Sequence, residues 1–248
     1  MNRRFDPSRP VLSPHDIIYA FTKNLSDDLA LPKRAIVTFN KGDLNYILSQ
    51  SKGIPVEAWS RFRQIYRLNG FKTVITRSYF GGPNISALVE ELAAFGVAEF
   101  VMWGYCGGID PALAIGDILV ATGALREDGV SFHYMEGNDA MVSSSWLNSW
   151  VTNARDEGFH SGTVWSCDAI YRETAGKVMR YRELGISGVE METASFYSVC
   201  NYLGIRGIVF LVVSDLLTED SWTPGFRTKS FRAGVKKLAQ FILNQAIC

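Results

Sequence analysis

At 248 residues, 47% of them hydrophobic, the chain is long enough to bury the core of one large α/β domain, and its 25 basic and 25 acidic side chains cancel to zero net charge, which excludes the global field that draws nucleic acid or anionic membrane. No apolar run reaches the ~20 residues of a membrane span. The opening Met-Asn-Arg-Arg-Phe-Asp-Pro lacks the apolar core of a signal peptide, so a cytoplasmic protein is expected. The four cysteines, Cys106, Cys167, Cys200 and Cys248, show no CxxC spacing and read as reduced thiols, and His15, His133 and His160 are too scattered for a zinc motif. No metal or redox cofactor is expected.

Residues 1–32, rich in Pro, Ser and Asp, read as an irregular N-terminal arm with enough apolar content over 16–22 to pack somewhere, ahead of one domain over 33–248. The first predicted strand, 34–39, is followed by a Lys41-Gly42-Asp43 turn and the start of a helix over 44–49. A second strand over 73–78 leads into Phe80-Gly81-Gly82-Pro83-Asn84. Its glycines permit close backbone approach to a ligand, and Asn84 suits the N-cap of a helix over 85–95 that stops at Gly96. A third strand over 99–103 runs into a second glycine loop, Gly104-Tyr105-Cys106-Gly107-Gly108. Neither loop has the G-x-G-x-x-G spacing of a dinucleotide-binding turn.

A strand over 115–122 precedes a polar, aromatic loop over 127–134, in which His133 reads as a surface or packing residue. Residues 137–162 are polar, with Trp146 and Trp150 at helical spacing, a pair suited to a core or an interface. A short strand over 163–166 leads to Cys167-Asp168-Ala169-Ile170-Tyr171-Arg172-Glu173. Residues 216–229, with Pro224 and Gly225, read as a mobile segment, and the spacing of Phe231, Val235, Leu238, Ala239, Ile242 and Leu243 predicts an amphipathic closing helix.

The rest of the chain is organised around residues 188–215. Glu190 and Glu192 stand at the start of a predicted helix whose packed face is Ala194, Phe196, Tyr197, Val199, Cys200 and Leu203, with Gly204 as its terminator. Residues 208–213 are six apolar residues, as a strand buried on both faces requires, and Asp215 follows at its carboxyl end, where open α/β sheets place ligands. Taken singly, each carboxylate also fits a helix cap or a partner for the helix macrodipole.

Gly104-Tyr-Cys-Gly-Gly, Ile115-Gly-Asp-Ile-Leu-Val, Glu127-Asp-Gly-Val-Ser-Phe-His-Tyr, Ser166-Cys-Asp-Ala-Ile-Tyr, Val189-Glu-Met-Glu and Val213-Ser-Asp occur in the order and spacing of the nucleoside phosphorylase superfamily, which the chain resembles from about residue 34 to its end. That group holds purine nucleoside phosphorylases, uridine phosphorylases and methylthioadenosine/adenosylhomocysteine nucleosidases. The resemblance implies an αβα sandwich around a mixed, partly barrelled sheet, assembled as a homo-oligomer (dimer, trimer or hexamer). By position, Glu192 would bond the ribose hydroxyls, with Met191 and Glu190 in the same sugar-side wall. Asp215, oriented by Ser214, would meet the base, whose face Ile170 would cover where relatives stack an aromatic. Tyr105, Cys106 and Gly107 would complete the substrate pocket.

Breaking an N-glycosidic bond leaves positive charge on the sugar and negative charge on the base, so carboxylates near the ribose and an acid near the base suit the reaction. Asp215 would have to carry or share a proton at neutral pH. The Gln/Arg pair of uridine phosphorylases is absent after Tyr171, which favours a purine or purine-like base. The resemblance also exposes departures. Tyr46, four residues beyond Gly42, and Met102 stand where phosphorylases of this group keep phosphate-binding arginines, and Met offers no donor. Arg77 is the nearest replacement. Three readings stay open: phosphorolysis with phosphate as co-substrate, hydrolysis by water, and a non-catalytic nucleoside-binding protein.

Overall fold

The computed structural model describes residues 4–23, 27–68, 72–136, 141–146 and 148–246, so Cys248 and residues 137–140 of the polar stretch lie outside the described residues. After α1 (Pro14–Thr22) come β1 (Arg34–Thr38), α2 (Lys41–Ser51), β2 (Ile54–Pro55), β3 (Ile65–Arg67), β4 (Thr73–Arg77) and α3 (Gly82–Ala94). The middle of the chain holds β5 (Glu99–Gly108), β6 (Ile118–Glu127), β7 (Met141–Ser143), α4 (Asn148–Asp156) and β8 (His160–Cys167). It closes with α5 (Ala175–Glu183), β9 (Ile186–Glu190), α6 (Thr193–Leu203), β10 (Arg206–Leu217), β11 (Trp222–Pro224) and α7 (Lys229–Ala246).

The strands form one sheet in the order β11-β10-β6-β8-β9-β5-β1-β4-β3-β2, with β7 on β6. Because β10 also pairs with β5, strands β10, β6, β8, β9 and β5 close into a five-stranded barrel, and β1, β4, β3 and β2 extend from it as an open wing. The sheet is mixed: β4, β1, β5 and β10 run parallel, whereas β6 meets β10, and β9 meets β5, antiparallel.

Side chains alternate between two cores, as the two-residue repeat of a strand dictates. On one face Ala35, Val37, Phe100, Met102, Val209 and Leu211 pack with α1, α3 and α6, the last two helices supplying Leu88, Val89, Phe196 and Val199. On the other, Ile36, Val101, Trp103, Ile208 and Phe210 pack with α2, α4 and α7, which supply Ile47, Trp150, Leu238 and Ile242. This is the expected three-layer αβα arrangement around a partly barrelled sheet. Trp146 and Trp150 both belong to the second core, with ring centroids 5.4 Å apart. Cys106, Cys167 and Cys200 are free and buried.

Several segments differ from the sequence reading. The 104–108 glycine segment is the end of strand β5, not a loop. Glycine serves close packing here, because a Cβ on Gly107 would lie 2.3 Å from Leu217 Cδ1 and one on Gly108 3.0 Å from Leu216 Cδ2. Lys41-Gly42-Asp43 is the first turn of α2, capped by the Asn40 side chain, which accepts from the Gly42 N–H. The cap of α3 is Gly81 rather than Asn84, whose side chain instead donates back to the Phe80 carbonyl. Residues 216–229 are not one irregular segment: β10 runs on to Leu217 and β11 returns beside it, pairing Asp215 with Pro224.

Candidate active site

A cavity of about 710 Å³ opens at the carboxyl ends of β1, β5 and β10, the edge where parallel strands deliver their loops. Its walls are aromatic and acidic. Phe39, Phe80, Trp103, Tyr105, Tyr171, Trp222 and Phe226 line it together with five carboxyls, Asp43, Glu173, Glu190, Glu192 and Asp215. Among the described residues, no Lys, Arg or His lines it.

Glu190 ends β9, and its carboxylate is fully engaged. One oxygen accepts from the backbone N–H groups of Glu192 and Thr193, both at 2.7 Å, and the other accepts from the Ser166 hydroxyl. Ser166 Oγ in turn accepts from the Ala194 N–H at 2.8 Å. Three N–H groups at the start of α6, which have no partner within the helix, are thereby satisfied. Burial raises the Glu190 carboxyl above its ordinary range, against the pull of these donors.

Glu192 is the N-cap residue of α6. One of its oxygens accepts from the Gly81 N–H at 2.5 Å, and burial, reinforced by the neighbouring Glu190, pushes its pKa up to about 8. The loop that supplies this N–H needs both glycines. Gly81 has a φ of 95°, which L side chains rarely adopt, and a Cβ on Gly82 would meet Ser195 Oγ at 2.3 Å. Ser195 is held by Asp128, so the 127–134 segment braces α6 from behind the cavity.

At the opposite end, Asp215 sits beyond a bulge: Val213 faces Cys106 and Asp215 faces Gly107, which leaves Ser214 as the extra residue. Bulges re-aim side chains, and here Ser214 and Asp215 both line the cavity. Asp215 Oδ1 lies 2.6 Å from the Ser214 hydroxyl, and Oδ2 accepts from the Trp222 indole N–H at 2.7 Å. Glu173 lines the same end, half-buried and with no hydrogen bond to its carboxyl among the described residues; burial, then the charge of Asp215, push it up to about 7.

A third carboxyl stands apart from these. Asp43 accepts from the Tyr105 hydroxyl at 2.5 Å, and burial pushes it up to about 6 despite that bond. Asp43 and Tyr105 also border a separate cleft of about 610 Å³, lined by Gly42, Tyr46, Lys229, Arg232 and Lys236.

The structure therefore brings Ile170, Glu190, Met191, Glu192, Ser214, Asp215, Tyr105, Cys106 and Gly107 to one cavity. It places the four residues expected around an anion elsewhere. Gly42 and Tyr46 face the basic cleft, Met102 is buried in the first core, and the Arg77 guanidinium lies over the Tyr79 ring at 4.9 Å. The sequence reading did not place Asp43, Glu173, Tyr171 and Trp222 at the cavity that they line. The only sequence signal for Asp43 and Glu173 was a carboxyl following a strand, which is as common in caps and turns as in sites. No group of three or more His, Cys, Asp or Glu side chains among the described residues is disposed to hold a metal ion.

A family model described as the phosphorylase superfamily matches residues 33–246. The chain belongs to that superfamily. It is similar to a uridine phosphorylase of Haemophilus influenzae, 30% identical over 156 residues that cover 56% of this chain and 62% of the relative. It is also similar to a guanosine phosphorylase of Halorubrum lacusprofundi, 32% identical over 141 residues covering 56% of this chain and 58% of the relative. A DeoD-type 2 purine nucleoside phosphorylase of Vibrio cholerae is 30% identical over 181 residues, 71% of this chain and 77% of the relative. For the first two of these relatives the shared stretch spans about three fifths of their length.

Proposed function

We propose that the chain cleaves the N-glycosidic bond of a purine-like nucleoside in the 710 Å³ cavity, with water rather than phosphate as the nucleophile. The observation that carries this reading is the wall itself, five carboxyls with no cationic side chain among the described residues. Such a wall favours the positive charge that develops on a ribose as its base departs. It disfavours a phosphate dianion, which needs fixed donors or cations.

Glu192 is proposed to hold the ribose hydroxyls through its carboxyl, with Met191 packed against the sugar. Glu190 supports that wall as the cap of α6 rather than by touching substrate. Asp215, oriented by Ser214, is proposed to act as the acid at the base, and Ile170 and Tyr171 to cover its face. Exposed side chains at the cavity's rim, Phe80, Tyr171 and Trp222 among them, support a homo-oligomer in which this rim is covered.

The reading is tested by incubating the protein with a panel of purine and pyrimidine nucleosides, with and without phosphate, and identifying the sugar product. Free ribose at equal rates in both conditions is expected. The phosphorolytic reading rests on the names of the relatives, and release of ribose 1-phosphate with strict phosphate dependence would establish it instead. Binding without cleavage would leave a nucleoside-binding protein.

A further inference from the structure

Strand β5 runs between β1 and β10, and the cavity opens at the carboxyl ends of all three. Asp215 stands on the β10 flank. Asp43, in the first turn of α2 directly after β1, stands on the other. Two groups in the wall beside Asp43 have unused hydrogen-bonding capacity. Asp43 is buried; its Oδ2 accepts from the Tyr105 hydroxyl, and its Oδ1 has no hydrogen bond among the described residues. Trp103, two residues before Tyr105 and so on the same face of β5, packs in the second core with Leu44 and Ile47 of α2. It lines the cavity fully buried, and its indole N–H has no partner among the described residues. A buried donor without an acceptor is costly, so such a group marks a place where something else supplies the partner. An indole N–H can only donate and a carboxylate can only accept, so the molecule that satisfies both must accept from one and donate to the other, as water does.

From this pair we infer that Trp103 and Asp43 form the subsite of the attacking water, the indole N–H holding its oxygen and Asp43 Oδ1 acting as the base that takes its proton. The inference rests on the hydrolysis proposed above and names the nucleophile end of that site. Direct displacement at C1′ needs the water on the face opposite the departing base, and the two flanks of β5 supply that opposition, with the base beside Asp215 and the water beside Asp43. The water oxygen bonds C1′ while its O–H bond breaks and the proton passes to Asp43. The C1′–N bond breaks, its electron pair moves into the base, and the Asp215 proton follows it there. Nucleoside and water become base and ribose, and solvent returns a proton from Asp43 to Asp215.

Tyr105 is a positioning residue in this arrangement, since its bond to Oδ2 leaves Oδ1 as the oxygen free to act. Burial raises the Asp43 carboxyl to about 6, with the Tyr105 bond pulling the other way, so it is largely ionised at neutral pH, as a general base requires. The other titratable groups around it are Tyr46 on its own helix and Lys229, Arg232 and Lys236 of α7 on the cleft side. On the cavity side they are Glu190, Glu192, Glu173 and Asp215.

The experiment compares wild type with Asp43→Asn, Asp43→Ala and Trp103→Phe on a purine nucleoside without phosphate, from about pH 5 to about pH 9. Asp43→Asn is expected to lower kcat by about 10²–10⁴-fold with KM little changed, and to remove the acidic limb that wild type shows near pH 6. Trp103→Phe is expected to lower kcat by about 3- to 10-fold and to keep that limb. Azide, a nucleophile that needs no base, should restore turnover to Asp43→Ala with ribosyl azide as the product, which the loss of a merely structural residue would not allow. Full kcat or a retained acidic limb in Asp43→Asn, or no ribosyl azide from Asp43→Ala, would overturn Asp43 as the base. Unchanged kcat in Trp103→Phe would remove the indole from the subsite. Wild type that cleaves nothing, or that releases ribose 1-phosphate only when phosphate is present, would instead overturn the hydrolytic reading itself, and the subsite with it.

Discussion

The Tyr105 hydroxyl donates to the Asp43 carboxylate over 2.5 Å, and this one bond stands between the acidic cavity and the basic cleft that adjoins it. Burial outweighs the bond and pushes Asp43 from its ordinary 3.8 up to about 6. The folded protein therefore binds this proton more tightly than the unfolded chain. That contribution to stability is complete below the unfolded value of 3.8 and is lost as pH rises through about 6. Asp43→Asn keeps an acceptor for Tyr105 and removes the charge. Its stability relative to wild type is expected to grow by about 2 kcal/mol between about pH 4 and about pH 8. Unfolding measured across that range checks it, and a difference that stays flat with pH would show that Asp43 is not raised.

Glu192 combines a stability effect and a binding effect. Its raised pKa of about 8 means that wild type loses stability as pH rises through that value, while Glu192→Gln does not. The Gln side chain still accepts from the Gly81 N–H but is a weaker partner for a ribose hydroxyl. Above about pH 8, where Glu192 is charged, a hydrogen bond to it contributes about 1.5–3 kcal/mol, so kcat/KM measured there should fall by roughly 10- to 10²-fold. Normal kinetics in Glu192→Gln would place the sugar elsewhere.

Gly82 tests whether the loop that carries the Gly81 N–H tolerates a side chain. A Cβ there meets Ser195 Oγ at 2.3 Å, and Ser195 is itself fixed by Asp128, so it cannot swing away freely. Gly82→Ala is expected to cost about 1–3 kcal/mol and to lower activity, since the shift displaces the donor on Glu192. Adding Ser195→Ala should recover part of the loss. Wild-type stability in the single variant would mean the loop has room that the structure does not show.

Asp215→Asn should leave the fold intact, because the amide can place Oδ1 on the Trp222 N–H and Nδ2 on the Ser214 hydroxyl, which is free to accept while donating to the Cys106 carbonyl. The amide cannot give a proton to the departing base as the proposed acid does, and turnover is expected to fall by about 10²–10⁴-fold with an unchanged melting temperature. Full activity would remove Asp215 from contact with the base.

How much of this was legible in the sequence depended on range. Strands such as Arg34–Thr38 and the apolar run within β10 showed themselves, because burial on both faces demands continuous apolar residues. The central glycine segment was misread because Gly104, Gly107 and Gly108 carry a loop's composition. What keeps them in a strand is contact with Leu211, Leu216 and Leu217, residues about a hundred positions away. Likewise β9, with Ser187 and Gly188 inside it, has no alternating pattern to betray it. Family-like spacing singled out Glu190, Glu192 and Asp215, which line one cavity. Trp222 reaches Asp215 only because β11 folds back in register on β10, and local periodicity does not encode that pairing. Met102 lies three positions before Tyr105 on β5, yet it is packed in the first core while Tyr105 lines the cavity, so a match in spacing alone could not say which of them the cavity holds.

The cavity should hold no tightly bound phosphate. Phosphate needs fixed donors or cations, and among the described residues no Lys, Arg or His lines this space. Arg77 does not supply one, because its guanidinium lies over Tyr79 and does not line the cavity. The basic side chains Lys229, Arg232 and Lys236 are near, but they face the other side of the Asp43–Tyr105 pair. Calorimetric titration of wild type with phosphate should therefore show no saturable binding that a nucleoside displaces. Arg77→Ala should behave as wild type does, both in that titration and in the phosphate independence of turnover. Any weak phosphate binding that does occur is expected to vanish in Lys229→Ala/Arg232→Ala and to be indifferent to nucleoside. Tight binding that competes with, or is strengthened by, nucleoside would show that an anion enters the cavity and would defeat the hydrolytic reading.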